Sequence, residues 1–272
     1  MADKIAFIGA GNMAKSLVGG LLRHGYPAAS IVAADPDASQ RAGMAALGVT
    51  VVDSNAHAID EAASIVLAVK PQLMRSVVQD LKGALSVDQL LISIAAGVPS
   101  AAIARWSPKS IGIVRCMPNT PALYGAGVTA LFANERVTAR QTAAAESILA
   151  AAGHVIWVER ESAIDAVTAV SGSGPAYFFY LMEAMIDAGI ALGLDAETAR
   201  TLTLKTAYGA AVMANESTNT PAELRRNVTS PGGTTERAIS VLDGGQGKPL
   251  IERAVREAAQ RSVELAKEFA TQ

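Results

Sequence analysis

The stretch Ile8-Gly9-Ala10-Gly11-Asn12-Met13-Ala14 constrains this chain more than any other. It ends a short apolar run, Lys4-Ile-Ala-Phe-Ile-Gly9, that reads as a strand. It opens the segment Asn12–His24, where Met13, Leu17 and Leu21, with Val18 and Leu22 beside them, recur at helical spacing before Gly25. The small residues are spaced G-x-G-x-x-A. Gly9 permits a tight turn, Gly11 lets the backbone approach a pyrophosphate, and Ala14 lets helix and strand pack closely. The helix N-terminus then offers N–H groups to phosphates. A plain structural turn would share the pattern; the setting between a strand and a helix at the start of the chain favours dinucleotide binding.

The next segments repeat the alternation of strand and helix. Ser30–Ala34 reads as a strand, Ala38–Leu47 as a helix ended by Gly48, and Thr50–Val52 as a short strand. Ile65–Val69, Leu90–Ile94 and Ile111–Cys116 are continuous apolar runs, the mark of strands buried on both faces. Strands alternating with helices of about 10–15 residues imply an α/β Rossmann domain with a doubly wound, mostly parallel sheet. Val128–Phe132, a helix over Ala139–Ala152 and Val155–Val158 complete it, and the domain is expected to span residues 1–160.

Beyond Arg160 the strand signal stops. Ser162-Ala-Ile-Asp165 has the form of a capping box that opens a helix. Phe178, Met182, Met185, Ile186 and Ile190 predict one apolar helix face, and Ile251, Val255, Ala258, Ala259, Ser262, Val263 and Ala266 a second. Thr220-Pro-Ala-Glu223 is an N-cap with proline at the first helical position. Residues 161–272 are therefore expected to form an all-helical domain.

Composition excludes several classes. The 272 residues are 50% hydrophobic and 18% charged, which suffices for a sizeable core. A net charge of -2 provides no polycation for a nucleic-acid backbone. Cys116 is the single cysteine, and with no signal pattern this points to the reducing cytoplasm. The three histidines, His24, His57 and His154, are scattered, so no metal site is expected. No apolar run reaches membrane-spanning length.

Other positions converge on the expected crevice beyond the carboxyl ends of the strands. Asp35 follows the second strand, 21 residues after Ala14, the place of a carboxylate that binds the adenosine ribose and favours NAD; Asp35-Pro-Asp37 also reads as an ordinary turn. Ala68-Val69-Lys70-Pro71, Ala95-Ala96-Gly97 and the segment around Asn119 each follow a strand. Lys70 also fits a solvated charge, whereas Asn119, between two prolines, is an amide aimed by a rigid loop. In the helical half, Ser171-Gly-Ser-Gly-Pro175 reads as a loop facing a ligand or as a helix kink. Gly232 and Gly233 precede Thr234 and Thr235, either of which is a natural N-cap, and the N–H groups of such a helix start suit a carboxylate.

Together these segments resemble the pyrroline-5-carboxylate reductase family over essentially the whole length. The resemblance rests on Phe7–Ala14, Ala68–Pro71, Ala95–Val98, Arg115-Cys-Met-Pro-Asn-Thr-Pro121, Asp165–Thr168, Ser171–Tyr177 and Ser230-Pro-Gly-Gly-Thr-Thr235. It implies a Rossmann domain followed by a helical domain similar to the C-terminal domain of 6-phosphogluconate dehydrogenase. It implies NAD(P)H-dependent reduction of 1-pyrroline-5-carboxylate, a cyclic imine carboxylate, to L-proline, with NADPH preferred and NADH also used. It implies a homodimer, assembled further in many members. By position, Gly9, Ala10, Gly11, Asn12, Met13, Ala14, Asn55, Ala68, Val69, Lys70, Pro71, Ala95, Ala96, Gly97 and Asn227 become cofactor contacts. Glu161, Ser171, Gly233, Thr234 and Thr235 become the substrate side, and Thr168 a hydrogen-bonding candidate at the imine nitrogen.

Two rivals remain at this point. A β-hydroxyacid dehydrogenase would carry a lysine where this chain has Ser171–Ala176, which contains none. A nicotinamide sensor would explain the first glycine turn but not the second glycine-threonine segment.

Overall fold

The computed structural model describes residues 2–108 and 110–270; the Met1 end of the apolar N-terminal run, Lys109, and the last two residues of the expected helical region lie outside it. Among the described residues, β1 (Ile5–Ile8), β2 (Ile31–Ala34), β3 (Thr50–Val52), β4 (Ser64–Leu67), β5 (Leu90–Ser93), β6 (Gly112–Met117), β7 (Gly127–Ala133) and β8 (Gly153–Trp157) form one sheet. The order is β3-β2-β1-β4-β5-β6-β7-β8. Neighbours run parallel except β6 and β7, which are antiparallel.

The helices of this half are α1 (Asn12–Arg23), α2 (Ala38–Ala45), α3 (Asn55–Ile59), α4 (Met74–Leu81), α5 (Ser100–Trp106), α6 (Ala139–Ala150) and α7 (Ala163–Val167). Strand residues alternate between two cores. Ile5, Phe7, Val66, Leu90 and Ile92 pack with Leu17 and Leu21 of α1 on one face. Ala6, Ile8, Ile65, Leu67 and Leu91 pack with Met74 and Val78 of α4 on the other. This double burial explains why these strands read as unbroken apolar runs. Each buried large aliphatic side chain stabilises the fold by about 1.5–3 kcal/mol.

The rest is helical: α8 (Gly174–Ala191), α9 (Ala196–Glu216), α10 (Pro221–Asn227), α11 (Thr234–Gly244) and α12 (Gly247–Ala270). The chain divides into two compact units. The first runs to Ser173 and resumes at Glu257; the second is Gly174–Arg256. Within the first, the end of α12 belongs to the sheet's core, with Phe269 buried and Leu265 packed against the same cluster.

Three local expectations are corrected. The Ser162–Asp165 capping box does not form: Ser162 is itself in a helical conformation and caps nothing with its side chain. Asp165 instead accepts a hydrogen bond from the Ser262 hydroxyl at 2.7 Å, a tertiary contact that outcompetes the local one. Ser171–Pro175 is not an open loop. Residues Thr168–Gly172 form a wide helical turn, closed by the Ser173 N–H donating to the Thr168 carbonyl at 2.8 Å, and α8 starts at Gly174. Helix α8 has no single apolar face; Phe178, Phe179, Tyr180 and Leu181 are successive and all exposed, Tyr180 by 75%. The Thr220 N-cap forms as expected, with Pro221 opening α10, and Glu223 completes a capping box with it.

Candidate active site

The glycine-rich turn lies where β1 meets α1, beside the exit of β4, at the point where the strand order reverses. The Gly9 N–H donates to the Ala34 carbonyl and the Ala68 N–H to the Ile8 carbonyl, both at 2.8 Å. Gly9 takes φ +98°, and a Cβ there would stand 2.6 Å from the Ala68 carbonyl oxygen. Gly11 is different: a Cβ there would meet nothing within 4 Å, so the space before α1 is open. No side chain caps α1, and its first turn holds no acidic residue. An uncapped helix start facing open space fits a dinucleotide pyrophosphate. Asn12 and Met13 lie on the first turn, and Ala14 is buried against the sheet.

Asp35 stands at the end of β2 and bonds to the turn itself. Its Oδ2 accepts from the Ala10 N–H at 2.8 Å and its Oδ1 from the Asp37 N–H at 2.9 Å. Arg41 reaches back to the same bend, donating to the carbonyls of Asp35 and Pro36 at 2.6 and 2.9 Å. Further expected cofactor residues are carried by the same sheet edge. Asn55 opens α3 after β3. Ala68, Val69 and the exposed Lys70 leave β4, and Pro71 starts a single tight helical turn. Ala95, Ala96 and Gly97 leave β5, with Gly97 at φ +76° against the side chains of Leu265 and Phe269.

Asn119 lies past β6, 8% exposed. Its Oδ1 accepts from the Val128 N–H at 3.0 Å, and its Nδ2 donates to the Ser171 carbonyl at 3.1 Å. Both ends of the amide are engaged within the protein, so Asn119 braces the wall. Through it the structure brings Ser171 to the end of β6. The Ser171 hydroxyl donates to the Val167 carbonyl at 3.0 Å, and the Thr168 hydroxyl to the Ile164 carbonyl at 2.7 Å. Each hydroxyl has therefore committed its proton and keeps its lone pairs as acceptors.

Glu161 is tied inward. Its carboxylate accepts from the Ser100 N–H and hydroxyl at 2.6 and 2.7 Å and from Arg115 Nη1 at 3.1 Å. Sequence reasoning assigned Arg115 no role. The available signal was a charged residue inside the otherwise apolar run Gly112–Met117. Cys116 beside it is buried, and burial pushes its thiol well above the usual range, which leaves it a poor nucleophile.

In the second unit, Asn227 ends α10, and Gly233 rather than a threonine is the N-cap of α11. Thr234 and Thr235 are its first two helical residues, and no side chain caps it. The threonine N-cap expectation is thus corrected. The left-handed Gly232, at φ +72°, turns the chain so that Gly233 takes the cap position. The Gly232 N–H is satisfied by Glu236 at 2.8 Å. No cluster of candidate metal ligands occurs among the described residues.

Two family models match the chain: pyrroline-5-carboxylate reductase dimerisation over residues 161–265, and coenzyme F420-dependent NADP oxidoreductase over residues 4–97. A pyrroline-5-carboxylate reductase of Pseudomonas aeruginosa is 55% identical over 267 residues, covering 98% of each chain. The structure of a pyrroline-5-carboxylate reductase from Coxiella burnetii is 44% identical with a TM-score of 0.94, covering 98% of this chain and 99% of that one. The Plasmodium falciparum pyrroline carboxylate reductase with NADP bound is 29% identical with a TM-score of 0.86, covering 97% and 98%.

Proposed function

The chain belongs to the pyrroline-5-carboxylate reductase family, and from that premise we propose that it reduces 1-pyrroline-5-carboxylate to L-proline with NAD(P)H, the last step of proline synthesis. The observation that carries the chemistry is the Thr168 hydroxyl, whose proton is held by the Ile164 carbonyl. An oxygen so arranged accepts a hydrogen bond and donates none onward. It suits the N–H of an imine that arrives already protonated, and it makes Thr168 the orienting group at the ring nitrogen. The start of α11, with Gly233, Thr234 and Thr235, binds the ring carboxylate, and Ser171 completes the substrate side. The bound dihydronicotinamide supplies hydride to the imine carbon. Fixing both reactants in a near-attack arrangement can supply much of the acceleration.

Gly9–Ala14, Asn55, Ala68–Pro71, Ala95–Gly97 and Asn227 are the proposed cofactor contacts. The NADP oxidoreductase match and the NADP-bound relative support NADPH as the preferred reductant. Asp35 limits that preference, because its carboxylate at the end of β2 repels a 2′-phosphate while accepting ribose hydroxyls. The dimerisation match and the exposed apolar side chains of α8 support a homodimer. Dimers assembled further, in the cytoplasm, complete the proposal. No helix among the described residues is long and apolar enough to cross a membrane.

The test is a spectrophotometric assay of pyrroline-5-carboxylate with NADPH and NADH side by side. Imine-dependent oxidation of both, faster with NADPH, is expected. Nucleotide binding without turnover of the imine overturns the proposal.

A further inference from the structure

Arg115 is the one Asp, Glu, Lys or Arg within the eight strands among the described residues, and it is 3% exposed. It meets two carboxylates. Nη1 lies 3.1 Å from Glu161 Oε1. Nη2, buried and without a hydrogen bond, lies 3.9 Å from Asp165 Oδ1. Each carboxylate is held from a second side. Glu161 takes the N–H and hydroxyl of Ser100, which opens α5 three residues past the loop Ala95–Gly97. Asp165 takes the hydroxyl of Ser262 on α12, whose next turns pack Leu265 and Phe269 against Gly97.

The cluster therefore joins the segment leading to Thr168 with the loop that leaves β5. Asp165 is three residues before Thr168, and Asn119 fixes the far end of the same turn through the Ser171 carbonyl. We propose that Arg115 is a positioning residue for the imine reduction: by gripping Glu161 and Asp165 it sets the Thr168 turn against the Ala95–Gly97 loop. The proposal rests on the reductase reading.

Stability alone is a weak account of such a group. Desolvating a guanidinium and two carboxylates offsets much of their attraction, and an apolar side chain of similar volume is often at least as stable. The cluster gives what apolar packing on a strand does not: directional contacts that fix one helix turn in register. A shift of about 1 Å in a reacting group is enough to cost roughly 100-fold in rate.

The test uses the full-length protein with Arg115→Met, Arg115→Lys and Ser262→Ala. Imine kinetics, NADPH dissociation constants by fluorescence titration and melting temperatures are measured on each. Arg115→Met is expected to lower kcat roughly 10–100-fold while the NADPH dissociation constant stays within about 3-fold. Arg115→Lys, which keeps one ionic contact, should recover part of kcat. Ser262→Ala loosens only the Asp165 side and should lower kcat about 3–10-fold in a folded protein, so it carries the test if Arg115→Met does not fold. Folded variants with kcat within about 2-fold of the unaltered protein overturn the proposal, as does a kcat loss matched by equal weakening of NADPH binding. Failure of the unaltered chain to turn over the imine overturns the reductase reading and this proposal with it.

Discussion

The Asn119 side chain links the Val128 N–H to the Ser171 carbonyl, at 3.0 and 3.1 Å, and so holds the wide helical turn against the end of the sheet. Truncation removes a donor and an acceptor at once. Asn119→Ala should lower stability by about 1–3 kcal/mol, read as a shifted urea midpoint at constant slope, and should reduce kcat. Full stability would mean that water replaces the amide and the brace is dispensable.

Thr168 should tolerate loss of its methyl but not of its oxygen. Thr168→Val is expected to lower kcat/KM for the imine roughly 10–100-fold, the range for a hydrogen bond to a charged group, and Thr168→Ser to stay near the original value. Unchanged turnover and pH profile in Thr168→Val would remove the residue from the mechanism.

The proposed carboxylate role of Thr235 has its own test. Thr235→Val should raise the imine KM at least about 10-fold and move the nicotinamide KM by less than about 2-fold. Equal rises in both would refute a selective carboxylate role.

Gly9 has no room for a side chain. Gly9→Ala places a methyl 2.6 Å from the Ala68 carbonyl oxygen at φ +98°. A loss of more than about 2 kcal/mol, with weakened nucleotide binding, is expected in thermal melts and titrations. Gly11→Ala, which meets nothing within 4 Å, should melt normally and lose nucleotide affinity alone.

Acid should loosen α10. Bonds from the Thr220 N–H and then its hydroxyl hold the Glu223 carboxyl below its ordinary range. Its folded pKa is thus the lower one. The contribution is complete above the unfolded value and disappears as pH falls through the folded value. Amide exchange in α10 should rise over that acidic window, and Glu223→Gln should remove the pH dependence. Exchange that rises equally in Glu223→Gln would assign the acid sensitivity to another group.

The β1 turn was readable because its demands are local. A tight bend, a close backbone approach and a small packing residue each name a residue type at Gly9, Gly11 and Ala14. The central strands were readable because burial on both faces leaves β1, β2, β4 and β5 almost wholly apolar. Arg115 was not, because its partner Glu161 is 46 residues away and the Asp165–Ser262 bond spans 97. Periodicity also failed for α8. With Phe178, Phe179, Tyr180 and Leu181 in a row, apolar side chains spread around most of the helix, interrupted by Glu183 and Asp187, so a single-face pattern captures only part of the apolar surface. At α11 the preference for threonine yielded to Gly233, because Gly232 supplies the left-handed turn just before it.

Helix α12 leaves the second unit at Arg256 and places Phe269 in the core beneath the sheet. During synthesis, the core of the nucleotide-binding half is therefore not complete when its last strand emerges; it is completed only once the last turns of α12 follow. A ribosome-bound nascent chain stopped before α12 should therefore hold a sheet with an uncovered apolar patch, and chaperone binding should cluster in that interval.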